Sequence, residues 1–415
     1  MQRSLFPLIV LAIMLALDYY VFQGYKNLIG NWALKTQSIF KVGYWLLTAT
    51  SLISFLYAIS QMSFGATSMA PRLIMSMVFV LFVAKLFWAV FLGIDDFTRL
   101  VRWIGGYFSK NQTASENGIS RHSFIVKTGA LVATSFLGAM TYGVSKGSHR
   151  YRVIRKKLKI NNLPASFAGL KLLQISDIHS GSFWSKKEVE RGVNMILKEE
   201  ADLVFFTGDL VNNVAEEMDD YLDVFGKISA PLGVFSVLGN HDYGEYVAGF
   251  NSERDLANNI EKLTQVHGKL GWDLLNNEHR VITKNGEKLG IVGIENWGNK
   301  MHFKKYGNMK KALHNMEDVP VKLLLSHDPS HWKGEVLKDY PEIDVTFSGH
   351  THGMQFGLET AGFKWSPIKY FYNEWAGLYT EGEQQLYVNR GFGYLGFPGR
   401  LGIWPEITVF ELETA

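Results

Sequence analysis

The sequence reads as α/β in class, with a four-helix N-terminal membrane region ahead of a domain of alternating buried strands and helices. Three patterns predict this. Most of the long apolar runs lie before residue 145. Beyond residue 169, five short apolar runs each stop at a tip carrying Asp, His or Asn. Between two of them, SKKEVERGVNMILKEE (185–200) repeats apolar residues at helical spacing, with Val189, Val193, Ile196 and Leu197 on one face.

Composition narrows the chemistry. A net charge of +3 over 415 residues is too balanced for a nucleic-acid binder, and the length exceeds one ordinary domain. The cysteine count is 0, which excludes disulfides, cysteine nucleophiles and thiolate metal sites together. Any metal must be held by His, Asp, Glu, Asn or backbone oxygen.

Residues 1–145 form the predicted transmembrane region, with spans near 5–23, 42–60, 73–94 and 124–144. Each is close to the roughly 20 residues that cross a hydrocarbon core. Asp18 sits near the end of the first span and Lys85 inside the third. Intramembrane charges are functional candidates by default; here an interface position or a pair within the bundle is the preferred reading.

Loop charge orients such a bundle. Placing Lys26, Lys35, Lys41, Arg99, Arg102, Lys110 and Arg121 inside leaves Arg3 and Arg72 outside, which puts the following domain on the outer face of the cell membrane. Segment 120–140 also resembles a degenerate twin-arginine export signal, with His122 in place of the second arginine. A juxtamembrane linker and first strand over 146–168 carries Arg150, Arg152, Arg155, Lys156, Lys157 and Lys159. By charge this run favours the cytoplasm and anionic headgroups.

Domain 169–415 follows. LKLLQISDIH (170–179), ADLVFFTGDLV (201–211), GVFSVLGNHDYG (233–244), VKLLLSHDP (321–329) and IDVTFSGHTHG (343–353) are the five runs; LGIVGIEN (289–296) is a further strand without the same polar tip. In α/β sheets ligands bind beyond the carboxyl ends of strands. Each tip alone reads as a solvated turn, but five in one domain point to a shared site. The inventory is Asp177, His179, Asp209, Asn240, His241, His327, His350 and His352. With one set aside for catalysis, the O and N ligands that remain are too many for one tetrahedral ion with an open position. They suit two neighbouring ions that share a carboxylate. Sulfur-free imidazole and carboxylate ligands suit Mn, Fe, Zn or Ni.

The series DIH, GDLV, GNHD, SHDP and GHTHG, in this order, resembles the calcineurin-like metallophosphoesterase superfamily over roughly 169–412. The context is similar to its membrane-associated bacterial, YkuE-like branch, as is the tail YVNRGFGYLGFPGRLGIWPEITVFEL (387–412). In that branch the last motif runs G-H-T-H-G-G-Q; Met354 here replaces the second of its adjacent glycines. The resemblance implies a calcineurin-like two-sheet β-sandwich flanked by helices. It implies a first divalent ion on Asp177, His179, Asp209 and His352, and a second on Asn240, His327 and His350 with Asp209 bridging. It also implies that His241 faces the leaving group as general acid, with orientation of Asp209 as the plainer alternative. Relatives of the branch include a UDP-2,3-diacylglucosamine pyrophosphatase of lipid A synthesis, which acts on the cytoplasmic side.

The expected function is therefore membrane-anchored hydrolysis of a phosphodiester, phosphomonoester or pyrophosphate bond in a phosphorylated small molecule or lipid-linked substrate, with membrane lipids as further partners. A non-catalytic sensor on the same fold predicts missing ligands, and none is missing. A transporter is disfavoured by the lack of an internal repeat. Asp242 and Asp328 are expected to orient imidazoles or to cap turns. Arg390 and Arg400 are expected to be turn arginines, solvated or bonded to backbone carbonyls, with a bidentate phosphate clamp as the alternative. His267, His279, His302, His314 and His331 match no motif. The aromatic stretch 364–379 is left as core, groove wall or interfacial segment.

Overall fold

The computed structural model describes residues 5–63, 69–108, 121–246, 250, 252–300, 303–360 and 362–415; Arg3, Lys110 and His302 lie outside them. The chain divides into two compact units, Met1–Tyr142 and Gly143–Ala415.

The first unit is helical: α1 Leu5–Ile29, α2 Leu34–Ser63, α3 Met69–Phe108 and α4 Arg121–Ser145, the last running into the second unit. All four are long and apolar enough to cross a membrane. They outrun the predicted spans because polar turns continue a helix that hydropathy no longer marks. In α3 the extension carries Asp95, Asp96, Arg99 and Arg102. Asp18 and Lys85 form an ion pair, and Asp18 also accepts from Tyr44 (3.1 Å) and Thr48 (2.9 Å). At another level of the bundle His122 Nδ1 stands 2.6 Å from Asp95, and Tyr20 donates to Asp96 at 2.7 Å.

The second unit is a sandwich of two six-stranded sheets. The first sheet takes β1 (Arg152–Ile160), β2 (Lys171–Ile175), β3 (Leu203–Phe206), β4 (Val234–Ser236) and β5 (Asp273–Leu274), with β14 (Glu406–Thr414) inserted between β1 and β2. The second runs in the order β12 (Gly377–Glu381), β13 (Gln384–Val388), β9 (Val345–Ser348), β8 (Lys322–Leu325), β7 (Glu287–Gly293) and β6 (Glu278–Lys284). A small antiparallel hairpin, β10 (Leu358–Thr360) and β11 (Phe363–Trp365), stands apart from both. Strands β2 to β5 run parallel, as do β7, β8, β9 and β13.

Side-chain alternation along each strand explains the layering. Leu172, Leu203, Phe205 and Phe235 of the first sheet face Leu289, Leu323, Val345 and Phe347 of the second. The rings of Phe205 and Phe347 meet edge-on at 5.2 Å; losing either would cost about 3–5 kcal/mol. The outward residues Leu173, Ile175, Val204 and Phe206 are covered by α5 (Lys186–Leu197), α6 (Leu222–Phe225) and α7 (Glu253–Leu270). On α5, Val189, Val193 and Ile196 are buried, whereas Leu197, read into the same face, is exposed. Strands covered on both faces show as continuous apolar runs rather than alternating ones. That is why the strands were legible.

Candidate metal centre

The parallel strands of both sheets end at one edge of the sandwich. Backbone hydrogen bonds continue past the strand ends and lace the loops together. Asp177 N donates to Gly208 O (2.9 Å), His179 N to Asp209 O (3.1 Å) and Gly349 N to His327 O (2.9 Å). The chain turns sharply at each tip. Asp177, His179, Asp209, His350 and His352 all adopt positive φ, between 49° and 73°. Such backbone costs a side-chain-bearing residue about 1–3 kcal/mol and concentrates at functional sites.

The glycine before a tip residue is a packing requirement. A Cβ on Gly349 would stand 2.2 Å from Asp177 Oδ2 and 1.9 Å from Ser176 Oγ, and one on Gly239 would stand 2.2 Å from Asp209 Oδ1.

All eight residues singled out from the sequence come together here. Asp177, His179 and His352 offer ligand atoms that lie within 4.8 Å of one another, and so do Asp209, His327 and His350. His179 Nε2 and His352 Nε2 are 3.0 Å apart, and His352 Nε2 lies 3.2 Å from Asp177 Oδ1. Asp209 Oδ2 connects the groups, at 3.4 Å from His179 Nε2 and 3.1 Å from His327 Nε2. Asn240 Oδ1 lies 2.8 Å from His350 Nδ1, which is itself 3.2 Å from His327 Nε2. His241 stands beside them: its backbone N–H donates to Asp209 Oδ1 (2.9 Å), and its Nδ1 meets Asn212 O at 2.9 Å.

The electrostatics fit divalent cations. Burial would raise Asp177, but the His352 imidazole outweighs it and holds the carboxyl well below the usual range; His327 does the same for Asp209. Burial pushes His179 and His350 down, which keeps both neutral. Ionised carboxylates and neutral imidazoles are the states that bind metal. Burial alone would lower His327 as well, but Asp209 lifts it to about 10. Without metal, His327 therefore carries a proton, which a bound cation would displace.

Neighbouring groups aim the imidazoles. His327 Nδ1 bonds Thr207 O (2.8 Å), turning Nε2 inward. His350 Nε2 bonds Tyr372 OH (3.0 Å), which in turn donates to Asp328 Oδ2 (3.2 Å). Partners of this kind fix tautomer and ring angle. Tyr372 was not singled out from the sequence, being twenty positions beyond the last histidine motif with no spacing to mark it.

Asp328 has both expected roles, capping Ser330 N at 2.8 Å as well. Among the described residues Asp242 bonds no imidazole; its carboxylate gathers the N–H groups of Asp209 (2.9 Å), Leu210 (2.8 Å), Val211 (3.2 Å) and Gly239 (2.8 Å). Arg390 is paired with Glu359 and Glu406. Arg400 bonds the carbonyls of Gly391 and Gly393, and its Nη2 lies 3.1 Å from His352 Nδ1. Of the unmatched histidines, His267 is buried on Ser236 Oγ (2.9 Å) and His331 on Ser326 Oγ (3.0 Å). His279 bonds Ala312 O (2.7 Å), and His314 is exposed.

A cavity of about 240 Å³ opens over the centre. Asp209, Asn240, His241, His350 and His352 form its floor, and Tyr246, Phe303, Ile368, Tyr372 and Leu395 its apolar wall. Its volume lies just below the usual range for drug-sized ligands.

Comparisons with known proteins agree on the family. Residues 2–148 match a family model described as a probable calcineurin-like phosphoesterase transmembrane domain, and residues 170–354 match the calcineurin-like phosphoesterase model. The chain is 29% identical over 311 residues to the uncharacterized metallophosphoesterase YkuE of Bacillus subtilis, covering 71% of this chain and 98% of that one. It is 28% identical over 319 residues to a transmembrane protein with metallophosphoesterase domain of Danio rerio, covering 75% and 68%. It is also 28% identical over 282 residues to the UDP-2,3-diacylglucosamine pyrophosphatase LpxG of Chlamydia trachomatis, covering 56% and 81%. With both units matched in order, the chain belongs to the calcineurin-like phosphoesterases, in the branch that carries a four-helix transmembrane domain.

Proposed function

We propose that this chain is a membrane-anchored two-metal phosphoesterase that hydrolyses a phosphodiester, phosphomonoester or pyrophosphate bond. The observation that carries the reading is the placement of Asp209 Oδ2, within 3.4 Å of a ligand nitrogen of each triad. Asp177, His179, Asp209 and His352 would hold one ion, and Asn240, His327, His350 and the shared Asp209 would hold the other. Mn, Fe, Zn and Ni all suit these ligands. Two such ions, when bound, neutralise phosphate oxygens and lower the pKa of a water toward neutrality.

The chain supplies the rest. His241 Nδ1 is engaged by Asn212 O, which leaves Nε2 for the cavity this residue lines. From there it protonates the leaving oxygen, a contribution of about 10²- to 10⁴-fold. Full-length protein stripped with a chelator and reloaded with each metal tests this on bis(p-nitrophenyl) phosphate and p-nitrophenyl phosphate. Turnover should vanish on stripping and return with at least one metal. Full metal occupancy without turnover on either ester would contradict it.

Similarity to LpxG favours a narrower reading, an acylated sugar-nucleotide pyrophosphate as substrate. For orientation, basic residues near the ends of the first three helices favour the catalytic unit on the outer face. A reporter fused after Ala415 that is active on one side of the bilayer decides this. An outer-face result excludes a substrate confined to the cytoplasmic leaflet.

A further inference from the structure

The β10–β11 hairpin has its polarity reversed. A hairpin lying on a protein normally turns apolar residues inward and polar ones to water. Leu358, Phe363 and Trp365 share one face, by the pairings Leu358 with Trp365 and Thr360 with Phe363. Leu358 and Phe363 are each 54% exposed on that face, while Trp365 is half-buried. The other face carries Glu359, which is half-buried, and Lys364, which is exposed but bonded back to the protein. Glu359 pairs with the buried Arg390, and Lys364 bonds Ala376 O and lies over the rings of Tyr379 (4.7 Å) and Trp375 (5.5 Å).

The turn that follows, Pro367–Tyr370, splits the same way. Ile368 and Tyr372 line the cavity, while Tyr370 (72% exposed) and Phe371 (52%) point out, with Lys369 over the Tyr370 ring at 5.5 Å. Exposed rings interleaved with lysines are the composition of a membrane–water interface. Contiguous apolar exposure of this kind marks an interaction surface.

Continuity of the chain identifies the partner. Helix α4, a candidate span, ends within the second unit, and its last residues sit in the loop 397–404. Arg400 N donates to Gly143 O at 3.1 Å, and a Cβ on Gly147 would meet the Trp404 ring at 3.0 Å. The guanidinium of Arg150 lies over that ring at 4.7 Å. The same loop holds the base of the hairpin: Gly357 N donates to Leu401 O at 2.9 Å, and Phe356 bridges to Leu401. One short loop thus grips both the C-terminal end of α4, a candidate span, and the hairpin with the outward apolar face.

We propose that the outward face of this hairpin, together with Tyr370 and Phe371, docks on the lipid bilayer surface. Docking brings the cavity mouth to the headgroup layer, because Ile368 and Tyr372 of the same segment are its wall. The proposal goes beyond the hydrolytic reading and does not depend on it.

The absence of native cysteine makes the test clean. F363C, Y370C and, as a control on α7, E261C are each labelled with an environment-sensitive fluorophore in the full chain, reconstituted in phosphatidylcholine–phosphatidylglycerol vesicles. The labels at 363 and 370 should be quenched by nitroxide-bearing lipid and should resist aqueous iodide several-fold better than the label at 261. Iodide quenching equal to the control would overturn the proposal. So would labels that iodide reaches in bare vesicles and that become shielded only when a short-chain phosphatidic acid is added. That result would make the face a groove for a substrate acyl chain. Melting temperatures matching the unlabelled protein establish that the substitutions leave the fold intact.

Discussion

Asp18 and Asp209 are both buried carboxylates, and their surroundings differ in kind. Asp18 is met by the Lys85 ammonium and by the hydroxyls of Tyr44 and Thr48. Its charge is cancelled by a cation that belongs to the chain. Asp209 is met by the imidazoles of His179 and His327 and by the N–H of His241, and no lysine or arginine pairs with it among the described residues. Its triad and the neighbouring one converge on backbone held at positive φ. A lysine closes a buried site, whereas converging imidazoles leave one open to an exchangeable cation. The first arrangement ties helices together; the second is a place for chemistry.

The largest effect that would break this comparison lies at the shared carboxylate. D209N should reduce turnover to background and lower bound metal at both positions, as measured by elemental analysis of the purified protein. Unchanged metal content would remove the bridge from the account.

H241A separates ligand from acid. Turnover should fall about 10²- to 10⁴-fold with metal content unchanged. The loss should be smaller for p-nitrophenyl than for alkyl leaving groups, since a good leaving group needs less protonation. Equal losses on both would place His241 in an orienting role instead.

On the membrane side, D18N strands the Lys85 ammonium. Removing one partner of a buried pair costs about 3–5 kcal/mol, and replacing both is close to neutral. Thermal unfolding in detergent should therefore show D18N well below wild type and D18N/K85M near it, with phosphoesterase activity retained by the double variant. A double variant that folds but loses turnover would make the pair functional and blur the contrast.

A third buried group supplies the pH dependence. Burial lowers His267 to about 3, so the folded state keeps it neutral where an unfolded chain would protonate it. The unfolded form binds more protons below pH 6.5. Stability is therefore complete above that value and declines toward pH 3, by up to about 1.4 kcal/mol per unit. Chemical denaturation of chelated protein should show this slope, and H267Q should flatten it. The smallest expected effect is that of Y372F, about 10- to 100-fold in turnover, because its hydroxyl only steadies His350.

The sandwich was readable because its central parallel strands are buried on both faces, which leaves each as an apolar run with a polar tip. The tip residues could be named from the motifs alone. What surrounds them was not readable. Asp242 shares the GNHD motif with Asn240 and His241 yet serves the backbone, and only geometry tells an imidazole partner from an amide partner. Tyr372 and Arg400 reach His350 and His352 from segments with no motif spacing. The glycines of TGD, LGN and SGH were visible, but their necessity is a matter of contacts at 2.6, 2.2 and 1.9 Å made across loops. In the membrane unit, hydropathy marked the helices but not their ends, since charged turns are as helical as apolar ones. Alternation within 358–365 was too short to reveal which hairpin face would pack.

The most direct test of the central claim is anomalous diffraction from the metal-loaded full-length protein, collected at the absorption edge of the activating metal. The account predicts two peaks about 3.5–4 Å apart, with the Asp209 carboxylate coordinating both. A single peak, or two peaks neither of which contacts Asp209, would contradict it.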